Sequence, residues 1–230
     1  MTLPGIVATA RTLAYYSRLE EVTANNLANV STDAYKADRM TAYRPANSSS
    51  PVAVSQLDLT QGTFRETSRL LDLALDGAGF FVVATANGER LVRGGSFRLD
   101  AAGRLIDTHG DAVLGEDGPV TLLGSSFEVR TDGTIIADGA ALGRLRVVHP
   151  ADPHALRKEG AGRFVTDGAV APADPEVTRV RQGAVEEANL DAIRGLVDLV
   201  AIQRAYSANI RALQAMDGVL GTIANEIARP

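Results

Sequence analysis

The side chains of this chain that could act chemically are few and scattered. Three histidines stand at 109, 149 and 154. His149-Pro-Ala-Asp-Pro-His154 sets two imidazoles and a carboxylate within six residues, a spacing that admits metal ligation. Two prolines make that stretch an extended loop, and no third histidine stands near it, so a solvated surface loop is the expectation. Gly77-Ala-Gly79 opens like a dinucleotide-binding turn. Val82 occupies the third glycine position, however, and a strand pattern follows where a helix is needed, so a kink at the start of a strand is expected. Glu186-Glu187 are paired carboxylates; at the start of a helix they would favour its positive end. Asp100, Asp132 and Asp167 each precede or approach a glycine, which is turn chemistry, and lack the alternating acidic spacing of a calcium loop. There is no Gly-x-Ser-x-Gly elbow, no Walker loop and no His-Glu-x-x-His helix. Cysteine is absent altogether, which removes thiol catalysis, disulfides and thiolate metal sites together. No catalytic, cofactor or metal site is expected, and the chain does not read as an enzyme.

The periodic elements are more informative. From Leu196 the residues Leu199, Gln203, Tyr206, Ile210, Leu213, Asp217, Leu220, Ala224 and Ile227 recur at alternating spacings of three and four, the signature of a coiled-coil seam. Ala201, Ala205, Ala208, Ala212 and Ala215 form a second stripe on the nearly opposite face. The expected element is one helix from about Ala184 to Ile227, roughly 65 Å long, with partners on both faces. At the other end, Pro4 suits a first helical turn, and Ile6, Ala10, Leu13, Tyr16, Leu19 and Val22 keep a helical period. That pattern runs into Ala24-Asn-Asn-Leu-Ala-Asn29, whose asparagines are poor helix formers but bond backbone well at a helix end or a packed interface. Such a helix is marginal alone, and the C-terminal one is its natural partner.

Glycine divides the chain. Of 22 glycines, 18 lie between Gly62 and Gly183, both included, so a turn-rich middle is enclosed by turn-poor ends. Within it Phe80-Phe-Val-Val-Ala-Thr85 is a strong strand, followed by the hairpin signal Asn87-Gly88. Further short runs follow, with turns at Asp100-Ala-Ala-Gly103 and Asp132-Gly133. Ala46-Asn-Ser-Ser-Ser-Pro51 is a polar linker, and Val52 to Leu59 a weak strand. The fold class expected is α+β: long N- and C-terminal helices forming a coiled coil and enclosing an antiparallel all-β middle, barrel- or sandwich-like. The domains expected are an assembly helix at 1–32, a linker with extended segments at 33–61, a β domain at 62–183 and a second assembly helix at 184–230.

A net charge of −5 argues against a nucleic-acid partner. No apolar run approaches the ~20 residues of a membrane span, and the first ten residues make a poor secretory signal.

Ala24-Asn-Asn-Leu-Ala-Asn-Val-Ser-Thr32 with Tyr35-Lys36 resembles the N-terminal motif of the bacterial flagellar rod and hook family. Leu73 to Phe81, with Asn87-Gly88 and Arg93-Gly-Gly-Ser-Phe97, is similar to the motif that opens that family's β domain, and Asp100-Ala-Ala-Gly-Arg-Leu105 resembles its usual turn. Gly183 to Asn189, Val200 to Tyr206 and Asn209 resemble its C-terminal signature. The short stretch between Tyr35 and Gly62 looks more like the proximal rod protein than the distal one. The family commonly has glycine where this chain has Ala34, which puts a positive-φ turn there in question.

The resemblance implies a structural subunit of the flagellar basal-body rod, the periplasm-spanning drive shaft of motility, exported through the flagellar type III apparatus without a cleaved signal. Its partners would be copies of itself and other rod subunits. The implied interface comprises Asn25, Asn26, Leu27 and Asn29, with Leu196, Leu199, Ala201, Ala205, Tyr206, Ala208, Ile210, Ala212, Leu213 and Leu220. Ordering of the ends would be coupled to polymerisation. The alternatives are a distal rod or hook-type subunit, and, in another class, a β-domain ligand-binding protein or enzyme with a dimerising coiled coil.

Overall fold

The computed structural model describes residues 3–43, 52–122 and 127–227. Among the described residues two α-helices, α1 (Leu3–Ala28) and α2 (Ala192–Ile227), flank in sequence a middle of short strands that pair antiparallel. The chain divides into two compact units. One holds the described residues of 1–29, 38–56 and 190–230, and the other those of 30–37 and 57–189. Among the described residues no helix is long and apolar enough to cross a membrane.

In the first unit, α2 starts later than the sequence pattern suggests. Residues Ala184–Glu186 are a strand, paired with Phe64–Glu66. The helix waits for Asp191, whose Oδ1 accepts from the backbone N–H of Ile193 at 2.9 Å and of Arg194 at 3.0 Å. That is the bonding of an N-cap, which satisfies donors the first turn leaves orphaned. The 36 residues of α2 span about 54 Å. The helices touch in antiparallel sense: Gln203 Nε2 donates to Glu20 Oε1 at 3.0 Å, and Leu27 lies over Gly195.

The expected coiled coil is not formed. A heptad seam buries every knob between its helices. Here only Val22 on α1 and Ile202 on α2 are buried among the described side chains of the two helices. Leu196, the first expected seam residue, is 52 % exposed, and Gln203 is also at the surface. The inward row is instead Gly195, Leu199, Ile202, Tyr206, Asn209 and Leu213. It is turned about 60° or less from the expected line, at 100° per residue. The side chains of Leu220, Ala224 and Ile227 lie outside the described residues. The same unit contains the two-stranded pair Asp38–Tyr43 and Val52–Leu57; the expected linker at 46–51 lies outside the described residues.

The second unit is built of several antiparallel sheets. Its largest sheet has ten strands, accompanied by two three-stranded sheets and the pair Phe64–Glu66 with Ala184–Glu186. The strand Phe80–Thr85 runs through the centre, with neighbours Gly88–Val92, Ala112–Gly115 and Val147–Pro150. Side chains alternate across a strand, yet here both faces are covered. Phe81 and Val83 enter one apolar cluster with Leu73, Leu75, Val113 and Leu145. Phe80 and Val82 enter a second with Leu91, Leu156 and Phe164. Two cores back to back explain why the run Phe-Phe-Val-Val is apolar throughout. The Asp100 turn forms as its sequence suggests: Gly103 takes φ +77°, and Asp100 Oδ1 accepts from Ala102 and Arg104.

Candidate functional site

Two features stand out: a surface on the helices and a buried ionic cluster in the strand unit. On α2, Ile193 is 77 % exposed, and Leu196, Val197 and Val200 are exposed beside it. The spacing i, i+3, i+4, i+7 stacks the four into one apolar stripe over two turns. Ala201, Ala208 and Ala212 are also exposed on this helix, whereas Leu199, Ala205, Tyr206, Ile210 and Leu213 are half-buried. Leu196 therefore parts from Leu199 and joins the surface stripe.

On α1, Asn25 is exposed, and Asn26, Leu27 and Asn29 are half-buried. Asn26 acts as a backbone mimic: its Oδ1 accepts from Asp38 N at 3.0 Å, and its Nδ2 donates to Asp38 O at 2.8 Å. Asn29 Nδ2 donates to Asn25 O at 2.9 Å, closing the helix end. These are the backbone bonds expected of asparagine at such a place.

The second feature was not foreseen. Glu186, expected to serve a helix end, is fully buried on its strand, as is Lys36, with Arg93 nearly so. Glu186 Oε1 accepts from Lys36 Nζ at 2.6 Å and from Gly62 N at 2.9 Å. Its Oε2 accepts from Arg93 Nε at 2.8 Å. Arg93 also donates from Nη1 to the carbonyl of Gly79 and from Nη2 to those of Leu75 and Gly77. The two glycines expected to kink a strand therefore present acceptors, and Gly77 at φ +113° leaves no room for a side chain against Val177 O. Lys36 also donates to Thr60 O at 2.7 Å. Burial pushes its ammonium below the usual lysine range, opposed by the hydrogen bond and charge of Glu186, and the Asp58 charge also acts on it. Two cations thus stand against two carboxylates, which is how buried charge is tolerated.

Around the ions the backbone is tied as well. Ala34 N donates to Glu186 O at 2.6 Å, and Asn189 N to Tyr35 O at 3.3 Å. Asn189 Oδ1 accepts from Ala37 N at 2.8 Å, and its Nδ2 donates to Asp58 O at 2.8 Å. Ala34 does take positive φ, +58°. The left-handed strain of an alanine, about 1–2 kcal/mol, is outweighed by that bond and by burial of the residue. Lys36, Arg93, Glu186 and Asn189 all lie inside the motifs quoted above. The available signal was a charged or amide residue at the edge of an apolar run. His149 and His154 take no part; Asp152 caps a short 3-10 turn by accepting from His154 N at 2.9 Å.

Comparison with known proteins follows the same map. Residues 181–226 match the family described as flagellar basal body rod FlgEFG protein C-terminal, and residues 74–137 match the flagellar hook protein FlgE/F/G D1 domain. The flagellar basal-body rod protein FlgF of Escherichia coli strain K12 is 31 % identical over 227 residues, covering 88 % of this chain and 89 % of that protein. FlgF of Caulobacter vibrioides is 30 % identical over 201 residues, covering 81 % and 82 %. The rod protein FlgG of Borreliella burgdorferi is 28 % identical over 243 residues, covering 90 % and 91 %.

Proposed function

The chain belongs to the flagellar basal-body rod family, and on that premise we propose how it does its work. It is a structural subunit of the rod, and its partners are other rod and hook subunits of the flagellar basal body. It joins them through the free faces of α1 and α2. The observation that carries this is the exposed stripe of Ile193, Leu196, Val197 and Val200. An apolar patch of this kind on one helix is ordinarily covered by a partner. Fully burying each such side chain is worth about 1.5–3 kcal/mol, and among the described side chains of the helix pair only Val22 and Ile202 are buried. The ends therefore gain most of their order on assembly, and Asn25, Ala201, Ala208 and Ala212 lie on the surfaces that neighbours approach. The short stretch between Tyr35 and Gly62 favours a proximal position in the rod. Export through the flagellar type III apparatus without a cleaved signal goes with that assignment, as does the absence of any catalytic role.

Ala208→Glu tests the reading. Ala208 is exposed, so the free subunit tolerates the change. The expected result is a protein whose strand unit keeps its protected amides but which is absent from purified basal bodies, with motility lost. Normal incorporation would overturn the assembly role of this face.

A further inference from the structure

Three of the stretches that carry the family resemblance, Tyr35-Lys36, Arg93 to Phe97 and Gly183 to Asn189, meet in the buried cluster. We propose that this cluster is a clasp that positions the subunit's terminal segments for assembly. It holds the strap at 34–37, where the chain passes between α1 and the strand Asp38–Tyr43, against 186–189, where it passes to α2. It thereby fixes the spacing of the points at which the chain leaves the strand unit. The purpose assigned to the clasp rests on the rod-subunit reading; its existence does not.

Two observations carry this. The links across the clasp are directional: the ion pairs of Glu186, the bond from Ala34 N, and the side chain of Asn189 bridging Ala37 and Asp58. Buried ions are a poor source of bulk stability, since apolar replacements of similar volume often do as well; what they supply is geometry. Moreover, among the described residues neither apolar cluster of the unit includes a residue of 30–37 or 183–189. The strap can therefore open while both cores stay closed, as a local rather than a global event.

The test uses the full chain with Lys36→Met and, separately, Asn189→Ala, which leaves the charged groups in place. Val83→Ala, a core change outside the clasp, serves as the control for plain destabilisation. Amide exchange and incorporation into basal bodies are measured for each. Both clasp variants should speed exchange at Ala34, Ala37 and Asn189 at least tenfold, leave Phe81 and Val113 unchanged, and lower incorporation at least tenfold. The Val83→Ala protein should still incorporate. The clasp is overturned if exchange rises everywhere together, if it does not change, if locally opened variants incorporate normally, or if Val83→Ala fails equally. If the unmodified chain itself does not enter basal bodies, the rod reading falls and the proposed purpose with it, whatever the exchange pattern.

Discussion

Glu186→Gln should be among the most damaging isosteric changes in the molecule. The substitution keeps the shape of a fully buried side chain but removes the charge that two buried cations face. Three bonds are touched: Lys36 Nζ at 2.6 Å, Gly62 N at 2.9 Å and Arg93 Nε at 2.8 Å. The amide Nε2 must then face either Arg93 Nε or the Lys36 ammonium, donor against donor. Bonds to charged groups contribute about 1.5–3 kcal/mol each. Removing one partner of a buried ion pair costs about 3–5 kcal/mol in all, chiefly because the other charge stays buried. A loss of that size falls on the clasp, whose strap opens as a local event while both cores stay closed. Its neighbour supplies an internal control. Glu187 accepts from Thr63 Oγ1 at 2.7 Å but is 45 % exposed, so Glu187→Gln should cost about 0.5 kcal/mol or less. The cost is best followed through amide exchange at Ala34, Ala37 and Asn189, with Phe81 and Val113 as the references that should not change. At about 1.4 kcal/mol per factor of ten, exchange there should speed by about a hundredfold or more for Glu186→Gln and barely change for Glu187→Gln. Equal shifts for the two, or a Glu186→Gln cost below about 1 kcal/mol, would refute the reasoning.

Three further expectations follow from particular contacts. The Asp132 carboxyl is pulled down to about 2, first by the Thr134 backbone N–H and then by the Arg144 guanidinium. A depressed carboxylate stabilises above its unfolded value near 4 and loses that contribution as pH falls toward 2. Asp132→Asn should flatten that part of the stability–pH curve, while costing under about 1 kcal/mol at pH 7 because the side chain is partly exposed; thermal melts from pH 2 to 7 measure both. Gly77→Ala should cost about 3 kcal/mol, since its Cβ would sit 2.4 Å from Val177 O at φ +113°. Gly139→Ala, with φ +84° and open space around it, should cost only about 1 kcal/mol, and urea midpoints compare the two. Ile202→Ala should remove about 2–4 kcal/mol from the helix pair alone, seen as faster exchange in α1 and α2 with Phe81 unaffected.

Local chemistry was readable in the sequence, and long-range chemistry was not. The Asp100 turn and the backbone bonds of Asn26 and Asn29 follow from residue type and near neighbours, so a linear reading reaches them. The terminal helices are legible in existence but not in rotation. Counting large side chains chose Leu196 and Gln203 for the seam. The structure prefers Gly195, whose bare backbone accepts Leu27, and Ile202. The coiled coil failed for the same reason, because periodicity reports a face and not what covers it. Phe80-Phe-Val-Val-Ala-Thr85 was a strand by composition, but its burial on both faces depends on elements as distant as Leu156 and Phe164. Glu186 was misassigned because its partners lie 150 and 93 residues away, and nothing in its immediate neighbourhood announces them. Ala34 shows a substitution tolerated where glycine was expected, because a backbone bond from its own N–H compensates the strain.

The antiparallel pairing of Phe64–Glu66 with Ala184–Glu186, together with the Lys36 ion pair, has a kinetic consequence. The contact between Lys36 and Glu186 closes a loop of 150 residues, and bringing such ends together costs about 4 kcal/mol of chain entropy beyond a constant. Contacts of this range form slowly and late. A chain growing from its N-terminus carries an unmatched lysine from residue 36 onward until its last strand arrives. Closure of the clasp is thereby deferred until Glu186 has been made, and a chain stopped before Ala184 holds the residues of both cores but leaves Lys36 and Arg93 without the carboxylate they share.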